Sequence, residues 1–471
     1  MMGDQALKNQ LFRWQGLFAS GALACALTLG GASALAAEGG PALSDEPVPM
    51  LTDEQMPQRV PPLLEIGGDF LGTGNIPQGF ELPTGAVWIP QLWVFGNVRS
   101  ALNLVEREDG LQDVAEWITR ADINFNLKLS ATERFLLQLT PLHTRNGWTG
   151  FEFEDDFRDV EQTNLQISRL FFEADFGEIF PDLDPEDRDA LDWGFAVGRQ
   201  PIFFQEGIMI NDIMDAVALV RDTIIFDSVI DTRVTGLYAW NRISRDDNIN
   251  DNGADLFGLF VETDTRWSTL NFDAAYVATR ERNGGDSLNL AISGVQRILG
   301  FNTALRVNQS FALDDESRQS DDGTLFFGEF SFTPKSTHDL AYLNAFVGID
   351  EFRSAARDEF AGGPLGRVGL LFAAPAIGRA PAPLGNRVDE SFGGAIGYQM
   401  FFNDDATQVV GEVGFIESSA PAAMVQDGVG VGLRFQHKFL DRFLVQLDGF
   451  YTNREIDDDT VGGRAELVVQ F

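Results

Sequence analysis

The sequence predicts an all-β protein: a transmembrane antiparallel β-barrel of about 18 strands, with 16 still open, between Gln91 and Phe471. Three observations predict it: apolar/polar alternation that recurs along the chain, a secretory N-terminus, and a terminal strand closed by Phe471.

Alternation is clearest over residues 120–130. Ala121, Ile123, Phe125, Leu127 and Leu129 occupy one phase, and Arg120, Asp122, Asn124, Asn126 and Lys128 the other. A soluble strand with one face on a core shows the same period, so repetition decides. Leu270, Phe272, Ala274 and Tyr276 alternate with Asn271 and Asp273, and Phe301, Thr303, Leu305 and Val307 with Asn302, Arg306 and Asn308. Val429, Val431, Leu433 and Phe435 alternate with glycines and Arg434, and Phe443, Val445, Leu447 and Tyr451 with Gln446 and Asp448. Each segment has roughly the 9–11 residues that a tilted strand needs to cross a bilayer. Apolar outside and polar inside is the pattern of a lipid-facing barrel with a wet lumen.

The junctions alternate too. Short turns at 130–133, 263–266, 334–338, 403–405 and 439–441 fall at every second junction, and the others are longer and more acidic. Short periplasmic turns and long outer loops are the barrel arrangement, which puts both termini on the periplasmic side. Trp117 and Trp240 fall at outer strand ends, Trp193 and Trp267 at inner ones, as two interfacial girdles require. In the last strand Ala465, Leu467, Val469 and Phe471 share one face. This ending resembles the signal that the outer-membrane assembly machinery recognises.

Residues 1–36 read as a signal peptide: Lys8 and Arg13 precede an apolar run over 17–29, and Ala34-Leu35-Ala36 offers a cleavage site. A lipoprotein signal at Cys25 is the rival reading, and Ala22-Leu23-Ala24 fits it poorly. Cys25 is the only cysteine, so the mature chain has no disulfide or thiolate metal site. Past residue 40 no apolar run reaches the length of a transmembrane helix. A formal net charge of −37 excludes nucleic acid as a partner. The acids fall in short blocks, as solvated loops do. Outer loops of this kind also collect divalent cations beside lipopolysaccharide or steer cationic solutes.

Residues 37–84 form a Pro- and Gly-rich periplasmic leader, of which 63–70 could tuck into the barrel mouth, and 85–471 form the barrel. The stretch 362–388 is apolar, with Arg367, Arg379 and Arg387 as its only charges, so it is expected to fold into the barrel or cover its mouth. Residues 203–217 are expected to dip inward, with a helical turn around 212–217.

Ten polar residues are expected to line the pore: Arg169, Glu173, Arg199, Gln200, Arg233, Asp273, Arg306, Glu412, Arg434 and Asp448. A phase slip at Ser168-Arg169 predicts a β-bulge. Arg199 shares the phase of Phe195 and Val197. A lipid-facing Arg at mid-depth costs about 2–4 kcal/mol, which favours a kink at Gly198 or a place near the outer rim. Planar guanidinium groups in a lumen suit carboxylate or phosphate. The alternative is that they pair with Glu173, Asp175, Asp273, Glu412 and Asp448 and brace the wall.

Arg169-Leu170-Phe171-Phe172-Glu173-Ala174, followed by Val197-Gly198-Arg199-Gln200-Pro201-Ile202 and Glu206-Gly207, resembles the hairpin of alginate-export-type outer-membrane porins. The resemblance covers about 40 residues and carries over Arg169, Arg199 and Gln200. It implies an eighteen-stranded barrel with an Arg-rich lumen passing a polyanionic sugar. The acidity of this chain departs from a strongly electropositive pore, so the resemblance implies a porin rather than an alginate channel.

The expected function is a passive diffusion channel for small hydrophilic or charged solutes, anionic sugars among them, in the bacterial outer membrane. The barrel would be a monomer or homotrimer and have no cofactor. Two alternatives stand: a non-conducting scaffold or adhesin, and a barrel hydrolase. The hydrolase has little support, because His338 and His437 sit near periplasmic turns and His143 has no identified partner.

Overall fold

The computed structural model describes residues 59–68, 78–107, 113–144, 147–154, 156–183, 185, 191–246, 248–280, 285–314, 319–420, 425–455 and 458–471. Residues 1–36, expected to be a signal peptide, and most of 37–84, the expected leader, lie outside the described residues.

Alternation produces the wall. Its strands are β1 (Gln91–Arg107), β2 (Val114–Lys128), β3 (Arg134–Leu139), β4 (Ile167–Asp175), β5 (Gly194–Phe204) and β6 (Ile210–Arg221). Next come β7 (Asp231–Asn241), β8 (Asp255–Asp264), β9 (Ser268–Ala278), β10 (Ser287–Ile298), β11 (Phe301–Ala312) and β12 (Gly323–Phe332). The circuit ends with β13 (Leu340–Asp350), β14 (Ser391–Phe402), β15 (Thr407–Ser418), β16 (Gly428–Phe439), β17 (Phe443–Arg454) and β18 (Asp458–Gln470). Each pairs antiparallel with its sequence neighbours, and β18 pairs with β1 from Thr460↔Arg107 to Gln470↔Asn97. The result is the predicted closed barrel of 18 strands. Closure leaves no sheet edge along that seam. Phe471 completes it, exchanging backbone hydrogen bonds of 2.7 and 3.0 Å with Gly96.

The outward phase is apolar. Leu102, Leu104, Leu305, Ile396, Val413 and Leu433 are exposed there, while Asn103, Arg306, Glu412 and Glu466 on the inward phase are buried. Trp117 and Trp240 stand exposed near the long-loop end, Trp193 and Trp267 at the short-turn end.

Three local expectations change. Residues 212–217 belong to β6, paired along their length with β5 and from Asp215 onward with β7, and form no helical turn: Asp212, Met214 and Ala216 share one face and Ile213, Asp215 and Val217 the other. The reversal before β6 is instead a tight turn at Gln205–Gly207, whose three residues have positive φ of 52°, 55° and 82°. At the short-turn end the junction between β4 and β5 is long, with a one-turn α-helix at Phe176–Ile179 whose N-cap Asp175 accepts from Gly177 N. In the leader, Leu64–Ile66 pairs with the start of β1, Leu64 opposite Val94.

Candidate functional site in the barrel lumen

The segment between β13 and β14, residues 351–390, is too apolar to stand in water. Leu365, Val368, Leu371 and Phe372 are fully buried and pack on Phe327, Phe346 and Ile416 of the wall. Its polar backbone is satisfied by inward side chains from distant strands. Glu412 of β15 accepts from Leu370 N at 2.9 Å and Leu371 N at 2.8 Å, and also from the Tyr342 hydroxyl. Asn344 of β13 donates to Val368 O at 2.9 Å. On the far side Asn103 of β1 donates to Ile377 O at 3.3 Å, and Glu116 of β2 accepts from Arg379 N at 2.8 Å and Nε at 3.1 Å. A segment that touches β1, β2, β13 and β15 on their inward phases crosses the lumen. Gly378, at φ +105°, meets the wall so closely that a Cβ there would lie 2.0 Å from Asn103 Nδ2.

Arg353 and Arg357 anchor the start of this segment. The Arg353 guanidinium pairs with the buried Asp389 and with Glu351 at 2.7 Å, and lies 3.5 Å from Asp321 and 3.9 Å from Asp246. Arg357 donates to the carbonyls of Gly207, Gly362 and Gly363 at 2.6–2.7 Å. Ala356 and Arg357 add a short parallel pairing to Ile210 and Asn211. Ser354 ties the junction, donating from N to Asp246 at 3.0 Å and from Oγ to Ile208 O at 2.7 Å.

Burial raises the pKa of Asp246, against the opposing pull of Arg357, Arg353 and Arg387, and it raises that of Asp321 too. Burial also pushes Arg357 down to about 10, where it stays charged at neutral pH. Asp246 and Asp321, which receive the segment through Ser354 and Arg353, therefore hold a proton more tightly when it is docked, while Arg357 does not titrate in this range. Docking is strongest below the usual carboxylate range near 4 and weakens as pH rises through the raised values. If the barrel conducts, its current noise should fall on acidification toward the usual carboxylate range, and Asp246→Asn should flatten that dependence. Noise that grows on acidification would contradict the assignment.

The sequence-predicted residues are spread round the wall. Arg434 and Asp448 form a bidentate pair at 2.7 and 3.1 Å on β16 and β17. Arg306 of β11 is buried against Glu329 and stands 6.0 Å over the Phe327 ring. Arg233 pairs with Asp222 near the short-turn end and lies 3.5 Å from Glu262, and Asp273 accepts from Gln205 Nε2 at 2.7 Å. Glu173 pairs with Arg134. Gln200 is buried and donates to Ala216 O at 3.1 Å. Arg169 points inward, with its Nε buried and without a hydrogen-bond partner. A register shift between Ile167 and Arg169 marks the bulge.

Arg199 is the correction. It stands opposite Leu170 and Asp215, on the phase of Val197 and Leu219, which are exposed outward. It is therefore not a lumen residue. Its charge is met by Asp215 at 2.7 and 3.1 Å, and Asn241 adds a bond to that carboxylate at 2.6 Å. Asp215 lies in register with Asn241, beside the outer Trp240, so the pair sits near the rim rather than at mid-depth. Gly198 carries the kink, at φ +125°, with its backbone pressed on Leu170 O.

Sequence reasoning missed the residues that extend the row. Arg464 pairs with Glu466 on β18, Arg99 of β1 with the same Glu466, and Arg120 of β2 bidentately with Asp122 at 2.8 and 3.1 Å. Arg99 lies directly opposite Arg120, and Arg464 opposite Asp448. Their positions on polar phases could have revealed them. From β16 round to β4 the lumen thus carries Arg434, Arg464, Arg99, Arg120, Arg134 and Arg169. Across from it, β8, β9 and β12 present Glu262, Asp273 and Glu329. Both sides are ion-pair networks: Asp448, Glu466, Asp122 and Glu173 lie among the arginines of the row, and Glu329 and Glu262 are met by Arg306 and Arg233.

His143 is buried edge-on against Phe360, and burial pushes its pKa down to about 4, so it is neutral at pH 7. His338 is exposed, 3.1 Å from Asp405, and His437 contacts Thr407 at 2.8 Å. These three do not converge on a hydrolytic site.

No protein-family model and no curated protein matches the chain. Solved structures do. Acinetobacter baumannii OccAB3 has a TM-score of 0.55 at 8% identity, over 81% of this chain and 99% of that one. Pseudomonas aeruginosa OpdK, crystallised with vanillate, has a TM-score of 0.54 at 10% identity, over 81% and 98%. Pseudomonas aeruginosa OccK5 (OpdH) has a TM-score of 0.51 at 11% identity, over 81% and 98%. These neighbours are outer-membrane porins, and the likeness is one of fold. The closed, apolar-skinned barrel places this chain in the bacterial outer membrane.

Proposed function

We propose that the chain is a passive channel for small hydrophilic solutes, narrowed by residues 351–390, in which the arginine row draws in anionic groups. The row is the observation that carries this reading. Its members stand on six of the seven strands from β16 round to β4, with β17 contributing Asp448 instead, and Arg99 lies directly opposite Arg120, so a carboxylate meets successive guanidinium groups along the wall. The acidic partners keep each site weak, which suits passage rather than capture. Small carboxylated solutes, anionic sugars among them, fit best. The likeness to a barrel crystallised with vanillate, an aromatic carboxylate, supports this class, as does the resemblance of the 169–207 hairpin to alginate-export-type porins. No chemical step is assigned to the protein.

In this reading the short-turn end faces the periplasm, both termini lie there, and β18 with Phe471 is the segment offered to the assembly machinery. Reversal potentials under a KCl gradient test it. Arg99→Gln/Arg464→Gln should shift the reversal potential toward cation preference by about 10 mV relative to wild type. An unchanged potential would remove the arginine row from the account.

A further inference from the structure

The wall is incomplete at one place. β4 pairs with β5 only from Leu170↔Arg199 down to Asp175↔Gly194. Above that, residues 200–204 of β5 continue and pair with β6 alone. Among the described residues no strand pairs with their other edge. Pro201, which has no N–H to offer, sits in that edge. The chain between β3 and β4 does not fill the space, because its hairpin, Gly147–Glu152 with Arg158–Val160, adds to β2 instead. A cavity of about 390 Å³ lies in the gap.

Its two sides differ in chemistry. The outer frame is apolar and exposed: Leu165, Ile167, Leu170 and Phe203. The cavity itself is lined by Arg120, His143, Arg169, Arg242 and Phe360, with Asp212, Asp358 and Glu359 among them; the buried Arg169 Nε has no hydrogen-bond partner and is the cationic donor left over for an anion. Arg199 forms the sill, reaching from β5 to Ile167 O at 3.1 Å. Asp215 and Asn241 place that sill at the outer aromatic girdle, beside Trp240. An opening at this height meets the region where lipid tails give way to headgroups.

We propose that this gap is a lateral window, through which a single-chain amphiphile with an anionic head enters the arginine cavity from the outer leaflet. The head passes from Arg199 outside to Arg169 within, while the tail stays on Phe203, Ile167 and Leu165. The tail then never crosses water, and the head is never left in hydrocarbon without a cation. The proposal rests on the channel reading for the cavity's connection to the lumen, but not for the window itself.

Channel block in planar bilayers tests it, with decyl sulfate and ethyl sulfate sharing one head and differing in the tail. Decyl sulfate should block at a concentration at least about tenfold below that of ethyl sulfate, because only the tailed probe concentrates at the window. Gln166→Cys/Phe203→Cys, bridged across the gap by a reducible bifunctional thiol reagent, should lose most of that advantage and regain it on reduction. Ethyl sulfate block should not change. Decyl sulfate block that survives the bridge, or equal potency of the two probes, overturns the window. A benzophenone amino acid at Phe203 adds a readout that needs no conductance. It should capture tritiated decyl sulfate from the bilayer even if the barrel conducts nothing, and failure to capture it counts against the window alone.

Discussion

Replacing residues 359–386 by two glycines should raise single-channel conductance by about threefold or more, because the deleted segment crosses the lumen and its removal opens that cross-section. The wall should survive. Its strands pair with one another independently of the segment, and residues 351–358 stay to pair with β6. The apolar side chains left behind, Phe327, Phe346 and Ile416, would face water. Some loss of thermal stability should therefore accompany the larger current. An unchanged conductance would mean that the constriction lies elsewhere.

Arg353→Ala should release the same segment without deleting it. The side chain is 9% exposed and its partner Asp389 2% exposed. Removing the cation leaves Asp389 buried without its main counter-charge and strips Asp246 of a compensating one. Breaking a buried pair from one side costs about 3–5 kcal/mol, enough to loosen the start of a segment whose other ties are the bonds to Glu412, Asn344 and Glu116 and the packing of Leu371 and Phe372. Trypsin should then cut at Arg357, Arg367, Arg379 or Arg387 while the barrel stays intact, and recordings should show large, slow current fluctuations. Wild type should resist cleavage there. A variant as resistant and as quiet as wild type would show that the apolar contacts of Leu371 and Phe372 hold the segment alone.

The barrel was legible because its causes are local and repeat. Period-2 alternation needs only the strand itself, and the phase that put Phe471 outward also put Glu466 and Arg464 inward. The bulge at Arg169 was legible for the same reason. Contacts across the lumen were not, since nothing near Glu116 announces that it will bind Arg379, 263 residues away. Arg199 went astray for an instructive reason. The cost of a lipid-facing arginine argued for the lumen, but Asp215, Asn241 and a place near the rim remove most of that cost. The sequence named the kink at Gly198 and the rim as ways out; which strand face they served depended on the partner strand. The helical turn expected at 212–217 failed similarly, because the apolar residues that suggested it face the 351–363 segment on one side and the exterior on the other.

Single-channel recording of the purified wild-type protein in a planar bilayer distinguishes a conducting barrel with a constricted lumen from a silent one. Stable unitary steps are expected, smaller than those of the variant lacking residues 359–386 recorded under the same salt. A protein that inserts but never conducts, in wild-type or deleted form, would contradict the channel reading and leave the barrel as a scaffold.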